Sequence, residues 1–116
     1  MITLQHEQLV FRFPNIDEDA GISIDFQRTL RLPDDGLDYH LPPGLGRFPL
    51  RHIEDFDLGV SNHQKARGGI IMPMFQTDAL WLNFSTFGSD RPELPVALKI
   101  GAGKINAVSG EKWQMA

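Results

Sequence analysis

Gly101-Ala102-Gly103-Lys104 is the run that most invites a chemical reading, because glycines ahead of a lysine can cradle a phosphate. A Walker-type loop also needs a glycine five residues before the Gly-Lys pair and a hydroxyl residue after it. Those positions hold Leu98 and Ile105, and a dinucleotide fingerprint would need glycine where Asn106 stands. Asn15, Asp17 and Asp19 share the early spacing of a calcium loop, but Ala20 fills the sixth position and Phe26 the twelfth. Of the four histidines, His6, His40, His52 and His63, none stands at local metal-ligand spacing. Ser109 lacks the first glycine of a nucleophile elbow, since Ala107 occupies it, and there is no cysteine to act as nucleophile or thiolate ligand. Each motif fails at a required position, which leaves a glycine turn, a solvated acidic turn and surface or locally bonded histidines. No cofactor or metal is expected.

Two features survive this filter. The Pro42–Gly46 loop doubles the chain back, so it could bring His40 and His52 towards Arg47 and Arg51, with Asp38 or Asp55 nearby. Arg28 stands alone as a charge among apolar neighbours in an alternating segment. A buried guanidinium stays protonated and needs a carboxylate or several carbonyls. Arg28 is therefore read as an ion pair or a snorkelling side chain at the sheet rim, with Asp25, Asp55 and Asp78 as candidate partners, and otherwise as turned outward by a bulge or binding a ligand in a pocket. The candidate ligand or structural cluster is therefore Arg28, His40, Arg47, Arg51 and His52.

These side chains depend on a strand-rich framework. Residues 9–13 alternate, and residues 22–32 form the clearest strand: Ile22, Ile24, Phe26, Arg28, Leu30 and Leu32 on one face, polar residues on the other. Pro33-Asp34-Asp35-Gly36 predicts a hairpin turn, with residues 37–41 returning alongside the strand. A short helix is expected over 52–58. Ser61 and Gln64 fit a capping box for a second helix, which ends at Gly68. Residues 70–75 read as a strand that Pro73 confines to an edge or a bulge, and 79–84 as another strand, joined to it through 76–78. A polar loop over 87–95 follows. Segments 96–100 and 105–108 flank the glycine turn as a hairpin. Phe75, Trp81, Phe84 and Phe87 read as sheet core.

The fold class expected is α+β, mainly antiparallel β: about seven short strands in a curled or two-layer sheet, with one or two short helices too brief for regular parallel crossovers. A chain of 116 residues without repeats or linkers reads as one domain spanning 1–116. Residues 1–60 carry eleven acids and five bases, and residues 61–116 four acids and six bases. Neither half offers the dense basic patch that phosphate backbones require, so no nucleic acid is expected as a partner. Absent cysteines, a start without signal-peptide character and short apolar runs point to a soluble cytoplasmic protein with no membrane partner.

The phrases from Phe26 to Gly36, Leu41 to Leu50, Gly69 to Gln76, Ala79 to Phe84 and Lys104 to Gly110 resemble a family of uncharacterised bacterial proteins. The resemblance covers roughly residues 22–113 and implies that this chain corresponds to an N-terminal domain or a shortened relative. It brings no activity with it. The expected function is a non-enzymatic binding or assembly module, partnered by further copies of itself or by another protein. The alternative is a small-molecule-binding or hydrolytic enzyme with its site near the 40–52 loop. Converging ionisable groups in a pocket would favour the enzyme, and a flat apolar patch the module.

Overall fold

Strand β3, Gly21–Thr29, organises the computed structural model, which describes residues 2–56, 59–87 and 95–114. On one side it pairs antiparallel with β2 (Gln8–Arg12), which in turn pairs with β1 (Ile2–Gln5). On the other side, over its full length, it pairs with the long strand we call β6, Ala79–Phe87. The sheet order is β1-β2-β3-β6, so β1 and β6 are its edges. The α+β, strand-rich class expected from the sequence is what the described residues form: eight strands in three sheets with one short α-helix and one 3₁₀ turn.

β2 leaves β3 at the pair Leu9–Ile24, and another segment takes its place. Leu45 N–H donates to Arg28 O at 2.7 Å, Arg28 N–H to Gly46 O at 2.8 Å, and Phe48 N–H to Phe26 O at 2.8 Å. This is where the sequence reading needs correction, because residues 37–41 are exposed coil, not a returning strand. The reason is local. Asp35 accepts from Leu37 N–H at 3.0 Å and from the Tyr39 hydroxyl, closing a side-chain turn that competes with ladder pairing. The return therefore occurs eight residues later, with Arg47 opposite Gln27.

The register also fixes which side chains share a face. Ile22, Ile24, Phe26 and Arg28 lie with Leu9, Phe11, Leu82 and Phe84, as alternation predicts. Burial does not follow that division. Ser23, Asp25 and Thr29 on the opposite, polar face are buried, whereas Leu30, Leu32 and Phe84 are exposed. The buried apolar residues are few: Val10, Ala20, Ile22, Ile24, Phe48 and Leu50. Phe75, read as core, is 76% exposed.

Smaller elements follow local rules. β1 and β2 are joined by His6 and Glu7, both at positive φ (51° and 62°), the hand a two-residue hairpin needs. Strand β4 (Arg51–His52) pairs with β5 (Ile70–Ile71), the only part of 70–75 that is strand. The helix expected over 52–58 is a 3₁₀ turn at Ile53–Asp55, and residues 57–58 lie outside the described residues. Helix α1 (Asn62–Arg67) carries the complete capping box: Ser61 Oγ accepts from Gln64 N–H, and Gln64 Oε1 from Ser61 N–H. The turn at 76–77 precedes β6, but β6 pairs with β3 and not with β5. Most of the polar loop read over 87–95 lies outside the described residues. The glycine run turns at Gly103–Lys104 between β7 (Gly101–Ala102) and β8 (Ile105–Asn106), both turn residues at positive φ. Residues 96–100 are not strand, nor are 107–108, and no described residue of 95–114 is buried.

Because β3 is hydrogen-bonded on both sides, its amides are expected to exchange most slowly with solvent. Those of residues 37–41 should exchange close to the unfolded rate, apart from Leu37. Hydrogen exchange read by NMR or mass spectrometry checks this, and protection across 37–41 would restore the hairpin read from the sequence.

Candidate functional site

Asp25 lies in the middle of β3 with 1% of its surface exposed, and it is the most deeply buried charge in the described chain. Pairing places Asn83 opposite it on β6, and Gln8 reaches it from the start of β2. Gln27 sits two residues along on the same face, and Arg47 enters from the segment that replaces β2. The carboxylate accepts from Gln27 Nε2 at 2.7 Å, Asn83 Nδ2 at 3.2 Å and Gln8 Nε2 at 3.4 Å, and Arg47 Nε lies 3.4 Å from Oδ2. Burial pushes the Asp25 carboxyl up, but the amides of Gln27, Asn83 and Gln8 and the Arg47 charge outweigh it, so its pKa lies below the ordinary value.

The Pro43–Gly46 loop covers this cluster. Thr29 Oγ1 donates to Pro43 O at 2.9 Å. A Cβ at Gly44 would stand 2.7 Å from Gln27 Oε1 and 3.1 Å from the Trp81 ring, so the loop packs where a side chain would force Gln27 to shift. Trp81 Nε1 is buried here and meets no hydrogen-bond partner among the described residues.

The five residues singled out from the sequence divide into separate roles. Arg47 and Arg51 do come together, at the hairpin turn between β1 and β2. Arg47 Nη1 donates to His6 O at 3.3 Å, and Arg51 Nη1 to both Glu7 carboxylate oxygens at 2.8 and 3.1 Å. Leu50 N–H also donates to Glu7. These bonds hold two non-glycine residues in the left-handed region, which otherwise costs roughly 1–2 kcal/mol per residue. The Leu50 N–H and then Arg51 hold the Glu7 carboxyl below its ordinary value, against partial burial.

Arg28 is on the apolar face, as the alternation indicates. Its Nε lies 3.6 Å from Asp78 Oδ2, and its guanidinium packs 4.6 Å from the centre of the Phe48 ring. Its side chain is 41% exposed, so it snorkels at the rim of the sheet. The side chains of His40 and His52 are exposed and enter no hydrogen bond or ion pair among the described residues.

A groove of about 350 Å³ lies beside this region, lined by Pro49, Arg51, Phe56, Ile71, Met72 and Pro73. Its only ionisable lining residue is Arg51, whose charge Glu7 already engages. Three amide donors and the Arg47 charge already engage the Asp25 carboxylate, and its lowered pKa makes it a weak base. Among the described residues, no three His, Asp or Glu side chains converge as a metal site would require. The geometry is that of a structural lock more than an acid–base pair. Nothing local marked Asp25 out as buried, because beyond Gln27, two residues along its own strand, its amide partners are 17 and 58 residues away and meet it only through register. No protein-family model, curated protein or solved structure matches the chain.

Removing the carboxylate should leave several donors facing one another in a buried space. Asp25→Ala is expected to destabilise the protein by roughly 2–4 kcal/mol in urea unfolding. Asp25→Asn should not rescue it, since its NH₂ adds a donor among donors. Because the folded pKa lies below the unfolded one, the stabilisation is complete above the unfolded carboxylate pKa and is lost as pH falls through the folded value. Unfolding of Asp25→Asn followed from pH 7 to pH 3 should thus show a flatter acid limb than wild type. Arg28→Ala should cost only about 1 kcal/mol, as suits a half-exposed pair with a ring contact. A loss above about 3 kcal/mol in the same assay would make Arg28 a buried structural charge.

Proposed function

We propose that this chain is a non-enzymatic binding or assembly module of the cytoplasm that associates with further copies of itself. The observation that carries this reading is the size and character of its surface. A compact monomer of 13.1 kDa exposes about 6,400 Å² on the general scaling of surface with mass. This chain exposes 9336 Å². The excess, about 2,900 Å² on one chain, is at least the share that each partner of an obligate interface buries, roughly 1,000–2,500 Å².

Much of that surface is apolar. Leu30, Leu32, Leu37, Tyr39, Leu41 and Leu45 are each between 43% and 71% exposed along the arm that runs between β3 and its replacement strand. An arm this long without secondary structure, carrying leucines outward, has no reason to be ordered in water on its own account. The apolar face of the sheet is likewise uncovered at both edges, with Ile2 62% and Phe84 44% exposed. By contrast, the groove beside Arg51 gathers no set of ionisable groups, which favours the module over the enzyme. A cysteine-free chain suits a reducing compartment, and no described helix is long and apolar enough to cross a membrane.

Sedimentation equilibrium at tens of micromolar is expected to show species heavier than 13.1 kDa. The double variant Leu37→Ser, Leu41→Ser alters residues that are exposed in the single chain, so its unfolding midpoint should barely move. Its association should weaken at least tenfold. A single 13.1 kDa species for the wild-type chain would remove the reading.

A further inference from the structure

β6 is an edge strand of nine residues, Ala79–Phe87, without a single charge, proline or glycine. Natural edges are normally shortened, charged or interrupted by proline to keep other strands away, and this one has none of those devices. The hydrogen bonds of β3 reveal which of its backbone groups are free. Arg28 N–H and O, and Phe26 O, face the Leu45–Phe48 segment. The backbone direction alternates along a strand, so the odd residues of β3 face β6. Their partners on β6 are Ala79, Trp81, Asn83, Ser85 and Phe87. Leu80, Leu82, Phe84 and Thr86 must then direct their N–H and C=O groups outward, and among the described residues no backbone meets them.

We infer that a second copy of this chain pairs antiparallel with β6 about a two-fold axis at Asn83, joining the two four-stranded sheets into one of eight strands. The inference rests on the self-association proposed above and adds to its apolar arm the strand whose backbone sets the register of the pairing. The four outward residues lie symmetrically about Asn83, so this register sets Leu82 opposite the partner's Phe84 and Leu80 opposite the partner's Thr86. All four free residues of each copy are then in hydrogen-bonded pairs, and shifting the register by two residues in either direction leaves some unpaired. An axis normal to the sheet also carries the apolar face of one copy into that of the other, bringing Phe84, 44% exposed in the single chain, beside an apolar neighbour. With no charge in the strand, no like charges meet across the axis. The same patch serves both copies, so the contact closes at a dimer and does not propagate.

The test uses the full chain. Since it contains no cysteine, Ser85→Cys provides a unique, exposed position for a nitroxide label. In the inferred register Ser85 lies opposite the partner's Trp81, which sets the two labelled Cα atoms about 14–15 Å apart. The frozen spectrum of the dimer should show dipolar broadening that vanishes on mixing with excess unlabelled chain. Phe84→Pro removes an outward N–H, which β3 does not use, so folding should survive while dimer dissociation rises at least tenfold. If that variant fails to fold, the label spectrum alone decides. A dimer without broadening overturns the edge pairing and leaves self-association standing through another surface. A chain that stays monomeric overturns both.

Discussion

The Asp25 carboxylate binds the sheet together. Its donors come from β2, β3 and β6 and from the segment that replaces β2, so one buried charge ties four stretches of chain to a common point. A carboxylate without water is tolerable only when its oxygens are fully engaged, and here every donor must be in place together. The covering loop, the glycine at position 44 and the crossing of Arg47 over the sheet all follow from that demand. The cluster sets register across distant segments, because sliding any of these strands by one residue would turn its donor away.

Satisfying the polar face has a consequence for the rest of the chain. The segment from Leu45 to Leu50 is committed to one edge of β3 and to the His6–Glu7 turn, which it holds through Leu50, Arg47 and Arg51. Phe48 and Leu50 become the deepest apolar residues. What lies between β3 and this segment finds both sides of β3 already paired, and forms an arm with its leucines outward. The polar face is therefore the better covered one, while the apolar face stays open at its margins.

The open margins differ in kind. β1 is short, whereas β6 offers nine residues of uncharged backbone whose alternate groups are unpaired among the described residues. In this chain the same strand supplies Asn83 to the Asp25 cluster and forms an edge of the described sheet. The interior lock and the outer edge are thus coupled, since the lock fixes which way the backbone groups of β6 point.

Features that depend on a few neighbouring residues were legible in the sequence. The capping box at Ser61 and Gln64, the turn at Gly103–Lys104, the strand character of 22–29 and 79–84, and the failure of each catalytic motif all arise within one or two turns of chain. So did the face on which Arg28 lies, because alternation is a property of the strand itself. Which face would be buried was not legible, nor was the return strand at 45–48 in place of 37–41, nor the convergence on Asp25. Those outcomes depend on pairing between residues 17 to 62 positions apart. An Asp in an alternating strand looks the same in sequence whether it meets water or three amides and a guanidinium. Only the register of the assembled sheet, and the loop that closes over it, decides between them.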